Sequence, residues 1–411
     1  MSLFSFTQLG ISYLIPNTAE HILLILAAGL LLFERLIYKV RFPADRLVVL
    51  SVMMLSVTLF WNNHDILHHG FFPQFYNIMI YVFLWLAHDM NEWHETFMKM
   101  MMICGIFYTV WTYICVLVPD IYNDLVYPLM APMGYIRDPK AGFTAFYSAN
   151  GLYLCFGIMA FCARFFFDPE KEKKLIHKFL FLFLLVGMLL CGKRGQFLAV
   201  IFAVAVCYYI YNSGRKNNRL LKLVIIFSSV TAALYIISLY IPDVTTIIDR
   251  FREQSLTGDV SSGRFLLWDH AWQLFLQKPL FGHGWRFFRY SAFTLMDYDV
   301  HNVFLQLLTE VGIIGSLPFY AFITGNLISA VKLLAKMRKS GKQEEGTALT
   351  ALSVMYEVFF AGICMTGTAL YQVECMFVYF ACCGIVYFYK RKYTRQIQRR
   401  YPEVTYDSQL G

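Results

Sequence analysis

His301, in the stretch DVHNVFLQLLTEVGIIG, is a titratable ring at the head of a long apolar run. An imidazole there can act as general base, general acid or hydrogen-bond donor near neutral pH, although a lone histidine is more often structural. Arg264 follows SSG and opens RFLLWDHAWQLFLQ. Its planar fork suits diphosphate oxygens better than a lysine does, while a surface salt bridge with Asp259 or Asp269 is the plainer reading. Lys193 and Arg194 lie in CGKRGQF between two glycines that let a ligand approach the backbone. The pair suits an anion site, or simple snorkelling at a helix end. Glu310 is nine residues beyond His301, ~13 Å along a helix axis and too deep to pair with the ring. A carboxylate inside an apolar segment is costly and a functional candidate by default, unless it only braces helices by a hydrogen bond.

Other constellations carry less. His64, His68 and His69 with Asp65 have the i, i+4 spacing of a metal face but read as a loop cluster. His88, Asp89, His94 and Glu95 read as an ordinary loop, and Glu357 and Glu374 have no assignable role. All ten cysteines lie in or beside apolar segments without a C-x-x-C pair, as free thiols acting as small hydrophobes would. No Walker motif, G-x-G-x-x-G, G-x-S-x-G or paired D-x-D is present. ATP-driven transport and nucleotide-sugar chemistry therefore lack support.

The elements that must position these residues are membrane spans. Of 411 residues 58% are hydrophobic and 15% charged, with a mean hydropathy of +0.53, against about 25% charged in a soluble protein. Apolar runs near the ~20 residues that cross a bilayer fall at 19–38, 46–61, 75–90, 99–118, 143–166, 177–191, 196–212, 222–241, 302–331, 347–368 and 371–389. Residues 3–17, broken by Pro16, could add a short or interfacial one. The expected fold is all-α, a polytopic membrane protein with 11–12 transmembrane helices and a large extracytoplasmic loop. Its divisions would be spans over 1–241, the loop 242–300, spans over 301–389 and a cytoplasmic tail 390–411. No cleavable signal peptide is visible at the start.

Charge gives the orientation. Alternate connections collect 24 of the 35 basic residues, and the positive-inside rule makes that side the cytoplasm. The net charge of +8 is thus a topology signal and calls for no nucleic acid. The other side receives the 192–195 turn, the 242–300 loop and the start of the ninth span. Two segments of that loop, 245–256 and 264–277, have amphipathic helical spacing. In the second, Phe265, Trp268, Trp272 and Phe275 form one stripe, to lie on the headgroup plane or to pack on the ends of the spans.

Three stretches resemble the O-antigen ligase / O-antigen polymerase family, the Wzy- and WaaL-like bacterial membrane glycosyltransferases. They are GKRGQFLAV, SGRFLLWDHAWQLFLQKPLFGHG and HNVFLQLLTEVGIIG, together spanning about 190–316. Lys193 departs from the pattern, standing where the family often has a small polar residue. The resemblance implies a GT-C-like architecture in a bacterial inner membrane, with the site on the extracytoplasmic face. The substrate would be an undecaprenyl-diphosphate-linked oligosaccharide, whose activated sugar needs no ATP, cofactor or metal. Arg194 and Arg264 would hold the diphosphate and stabilise the leaving charge. His301 would orient or deprotonate an acceptor hydroxyl, giving inversion. Lys193, His283, Asn302 and Glu310 join the substrate-side candidates. Chain growth by a polymerase for O-antigen, capsule or exopolysaccharide is the leading expectation, because such polymerases are numerous and diverse. A flippase and a chain-length regulator would be its partners. A ligase acting on lipid A core or protein is the alternative, and a transporter of lipid-linked oligosaccharide is the rival from another class.

Overall fold

The computed structural model describes residues 92–133, 137–144, 146–167, 175–213, 263–290, 298–339 and 346–400, with isolated positions between 26 and 37. The spans expected at 46–61, 75–90 and 222–241, most of 19–38, segment 3–17, the helix expected at 245–256 and the His64 cluster lie outside these residues.

Every regular element among the described residues is helical. Eight helices matter here: α1 Glu92–Leu117, α2 Tyr147–Phe167, α3 Leu175–Cys191, α4 Arg194–Tyr211, α5 Arg264–Gln277, α6 Val303–Lys339, α7 Thr347–Thr366 and α8 Val373–Arg400. Five of them (α1 from Trp93, α2, α4, α6 and α7) are long and apolar enough to cross a membrane. Uniform apolar sequence marks a helix surrounded by others. Accordingly α2 is buried without interruption from Ala149 to Ala163, and α7 from Thr347 to Glu357. The other long helices pack around these two. Gly105 of α1 and Gly157 of α2 meet backbone to backbone, where a Cβ on Gly105 would stand 2.5 Å from the opposing Cα. Small residues let membrane helices approach this closely. All ten cysteines are buried free thiols.

The helices alternate in direction, so the bundle has two distinct ends. At one, Arg164 pairs with Glu95 at 3.2 Å and Arg338 donates to the Ser213 hydroxyl at 2.7 Å. At the other lie the end of α1, the starts of α2, α4 and α6, and the 3-10 turn Ala369–Tyr371 between α7 and α8. One expectation is corrected at the first end. His94 and Glu95 belong to α1 rather than to a loop, and His94 is fully buried against Phe388 and Tyr389 of α8. Their polar character masks the extra turns because the burial is supplied by another helix.

Candidate functional site

The site is built around a break in α6. Gly312 leaves the helical region (φ 65°, ψ −172°), which frees backbone groups on both sides of it. The 279–284 loop caps them. His283 and Gly284 donate N–H groups to the carbonyls of Thr309 and Glu310 (3.1 and 2.7 Å), and Ile313 and Ile314 donate to those of Pro279 and Leu280 (2.9 and 3.1 Å). This contact requires the glycines of PLFGHG and VGIIG. Gly282 also has positive φ, and a Cβ on it would collide with the Glu310 carbonyl.

Helix α5 docks beside this break. Ala271 and Leu274 pack with Phe288 and Val300, and the Thr309 hydroxyl bonds the Ala271 carbonyl at 2.9 Å. The expected aromatic stripe is only partly the packing face. Phe275 is buried, yet Phe265 and Trp272 remain 64% and 46% exposed. Ala271 and Leu274, beside the stripe, share the buried face with Phe275, so periodicity alone could not choose the face. No ion pair joins Arg264 to Asp269 among the described residues, and Asp259 lies outside them.

Ahead of α6, His301 adopts a left-handed backbone (φ 54°), uncommon for a non-glycine residue. Its neighbours are pinned on either side. The Trp268 indole donates to the Val300 carbonyl at 3.1 Å, and the Asn302 side chain caps α6 by accepting from the Leu305 N–H at 3.1 Å. Burial pushes the proton affinity of the His301 ring down, and the positive charges of Arg264, Lys193 and Arg289 push it further, with Asp299 opposing. Residues from three separate segments therefore act on one imidazole.

Beneath His301 runs a closed polar circuit. Arg286 donates to Oδ1 of Asp299 at 3.1 Å, Arg289 to Oδ2 at 3.1 Å, and Gln306 to Oδ1 at 3.2 Å. The same Gln306 nitrogen donates to Glu310 at 2.9 Å. The Tyr371 hydroxyl donates to the other Glu310 oxygen at 2.7 Å, and the Arg286 guanidinium sits 4.5 Å from the centre of the Tyr371 ring. Matched donors and acceptors strengthen such networks inside a low dielectric; in this one the Gln306 Oε1 is buried without a hydrogen-bond partner among the described residues.

The expected residues thus fall into two groups. Lys193 and Arg264 lie near enough to His301 for their charges to lower its proton affinity. Arg194 heads α4 one residue beyond Lys193, whose ammonium lies 4.4 Å from the Tyr147 ring centre. His283 is engaged structurally, its Nε2 paired with the Leu274 carbonyl at 2.8 Å and its ring stacked on Phe287. Asn302 is a helix cap, and Glu310 braces α6 against Tyr371. Arg286, Arg289, Asp299, Gln306 and Tyr371 were not singled out from sequence. The signal was faint: an intramembrane Glu310 implies donors, without saying which. Among the described residues no group of three His, Cys, Asp or Glu could hold a metal.

Fold and site define a helical membrane protein with a cationic, histidine-bearing rim at one end of its bundle. Residues 179–320, roughly a third of the chain, match a protein-family model described as O-Antigen ligase. The matched segment contains all three stretches that carry the sequence resemblance and supports a lipid-linked glycan transferase of the ligase/polymerase type. No curated protein matches the chain.

Proposed function

We propose that the protein transfers a glycan from a polyprenyl-diphosphate carrier to an acceptor hydroxyl, on the extracytoplasmic side of a bacterial inner membrane. The observation that carries this is the half-buried His301 in the field of Lys193, Arg264 and Arg289. Cations there suit a diphosphate, and a ring of lowered proton affinity is neutral and able to accept a proton at neutral pH. In the reaction the acceptor oxygen bonds the anomeric carbon as the bond from that carbon to the diphosphate oxygen breaks. The diphosphate departs with the electron pair. The acceptor proton passes to His301 and then to solvent, and the anomeric configuration inverts. Arg264 and Arg194 stabilise the growing charge on the leaving group. The exposed Phe265, Leu266, Trp272 and Leu276 of α5 suit contact with the bilayer surface.

Chain growth on a second carrier-linked unit is the leading form of this reaction, with a flippase and a chain-length regulator as partners. The second form is transfer of a finished chain to lipid A core or protein. The test incubates purified protein with a synthetic diphosphate-linked repeat unit, with and without lipid A core. A ladder of products indicates polymerase and a single conjugate indicates ligase. Transbilayer movement of the substrate without product would replace the reading by transport.

A further inference from the structure

The closed circuit contains a carboxylate whose placement the proposed reaction does not use. Asp299 is 8% exposed and lies two residues before His301. Its oxygens take hydrogen bonds from Arg286, Arg289 and Gln306, so both are held. Of these donors, Arg286 has a left-handed backbone (φ 62°), as His301 does (φ 54°). They are the two non-glycine residues of positive φ among those described, and the Asp299 side chain ties one to the backbone leading into the other. Strained residues persist where the surroundings over-determine them, and they cluster at functional sites.

We propose that Asp299 is a positioning residue for His301: its clamp on Arg286, Arg289 and Gln306 holds the left-handed turn that carries the histidine, and holds the Arg289 cation beside it. The charged groups facing the ring are Lys193 from the turn before α4, Arg264 from α5, Arg289 from the single turn Phe287–Tyr290, and Asp299 itself. Asp299 is the one anion among them, so it offsets cations that would otherwise keep the imidazole from holding a proton. It also gives Arg289, which is 35% exposed along its side chain, a fixed base from which to face a substrate anion. The role in catalysis rests on the proposed glycan transfer; the positioning itself does not.

The test is a histidine-labelled NMR titration of the full chain in nanodiscs, with the His301 signal assigned by His301→Gln. Asp299→Asn keeps an acceptor for the arginines and removes the charge. Because that leaves buried arginine charge uncompensated, a second variant, Asp299→Asn with Arg286→Gln, restores the balance. The expected result in both is a His301 titration moved to lower pH and altered His301 shifts, with the circular dichroism of the wild type. An unmoved titration and unchanged shifts in the folded double variant would overturn the proposal. A moved titration in a protein whose wild type makes no glycan product would retain the positioning role and remove the proposed reaction.

Discussion

Gly282 lies against Gly312 so closely that a Cβ on the first would stand 2.6 Å from the backbone nitrogen of the second. Both have positive φ (66° and 65°), so an alanine at either meets strain and collision together. Each of Gly282→Ala and Gly312→Ala is expected to destabilise the protein by ~2 kcal/mol or more. Gly325→Ala is the control in the same helix, since nothing lies within 4 Å of its added Cβ. Denaturant unfolding in micelles measures the difference, and equal midpoints for Gly282→Ala and Gly325→Ala would refute the docking of the loop onto the break.

Tyr371→Phe removes the donor that reaches the buried Glu310 from the turn between α7 and α8. A buried acceptor left without its donor costs ~1–3 kcal/mol. The unfolding free energy is expected to fall by that amount, while the pH dependence of activity keeps its shape. A large loss of activity with unchanged stability would instead make Tyr371 a participant in the chemistry.

The free protein should lose kcat/KM on the acid side as His301 takes up a proton. Burial and neighbouring cations put that event below the ordinary value of 6.5. The sign follows directly: Arg264→Gln removes a charge that disfavours the imidazolium, so the acid limb moves to higher pH. A limb that stays in place, or moves down, contradicts the electrostatic link between Arg264 and His301.

How much of this could be read from the chain differs residue by residue. Arg264 and His301 announce themselves because each opens a helix beside an apolar run, and Lys193 because it defies the charge rule of its turn. The ten cysteines read correctly as buried thiols, since their setting is wholly apolar. Boundaries were blurred where polar residues are buried by a distant partner: α1 starts at Glu92 rather than near 99 because His94 is covered by α8. The circuit was not legible for the same reason. Tyr371 and Glu310 are 61 positions apart and Arg286 and Asp299 13 apart, and only the fold makes them neighbours. His283 and Asn302 were substrate-side candidates through the family resemblance, and the hydrogen bonds of their side chains to the backbone could not be read from the sequence.

The central claim is that Lys193, Arg264 and His301 form one reaction centre, with Arg194 beside it. Its most direct measurement is the initial rate of glycan transfer from a synthetic diphosphate-linked unit by purified wild type, Arg194→Ala, Arg264→Ala and His301→Ala, each checked for folding. The account predicts product from the wild type and losses of ~10²-fold or more in the variants. Wild-type rates in folded His301→Ala and Arg264→Ala would contradict it.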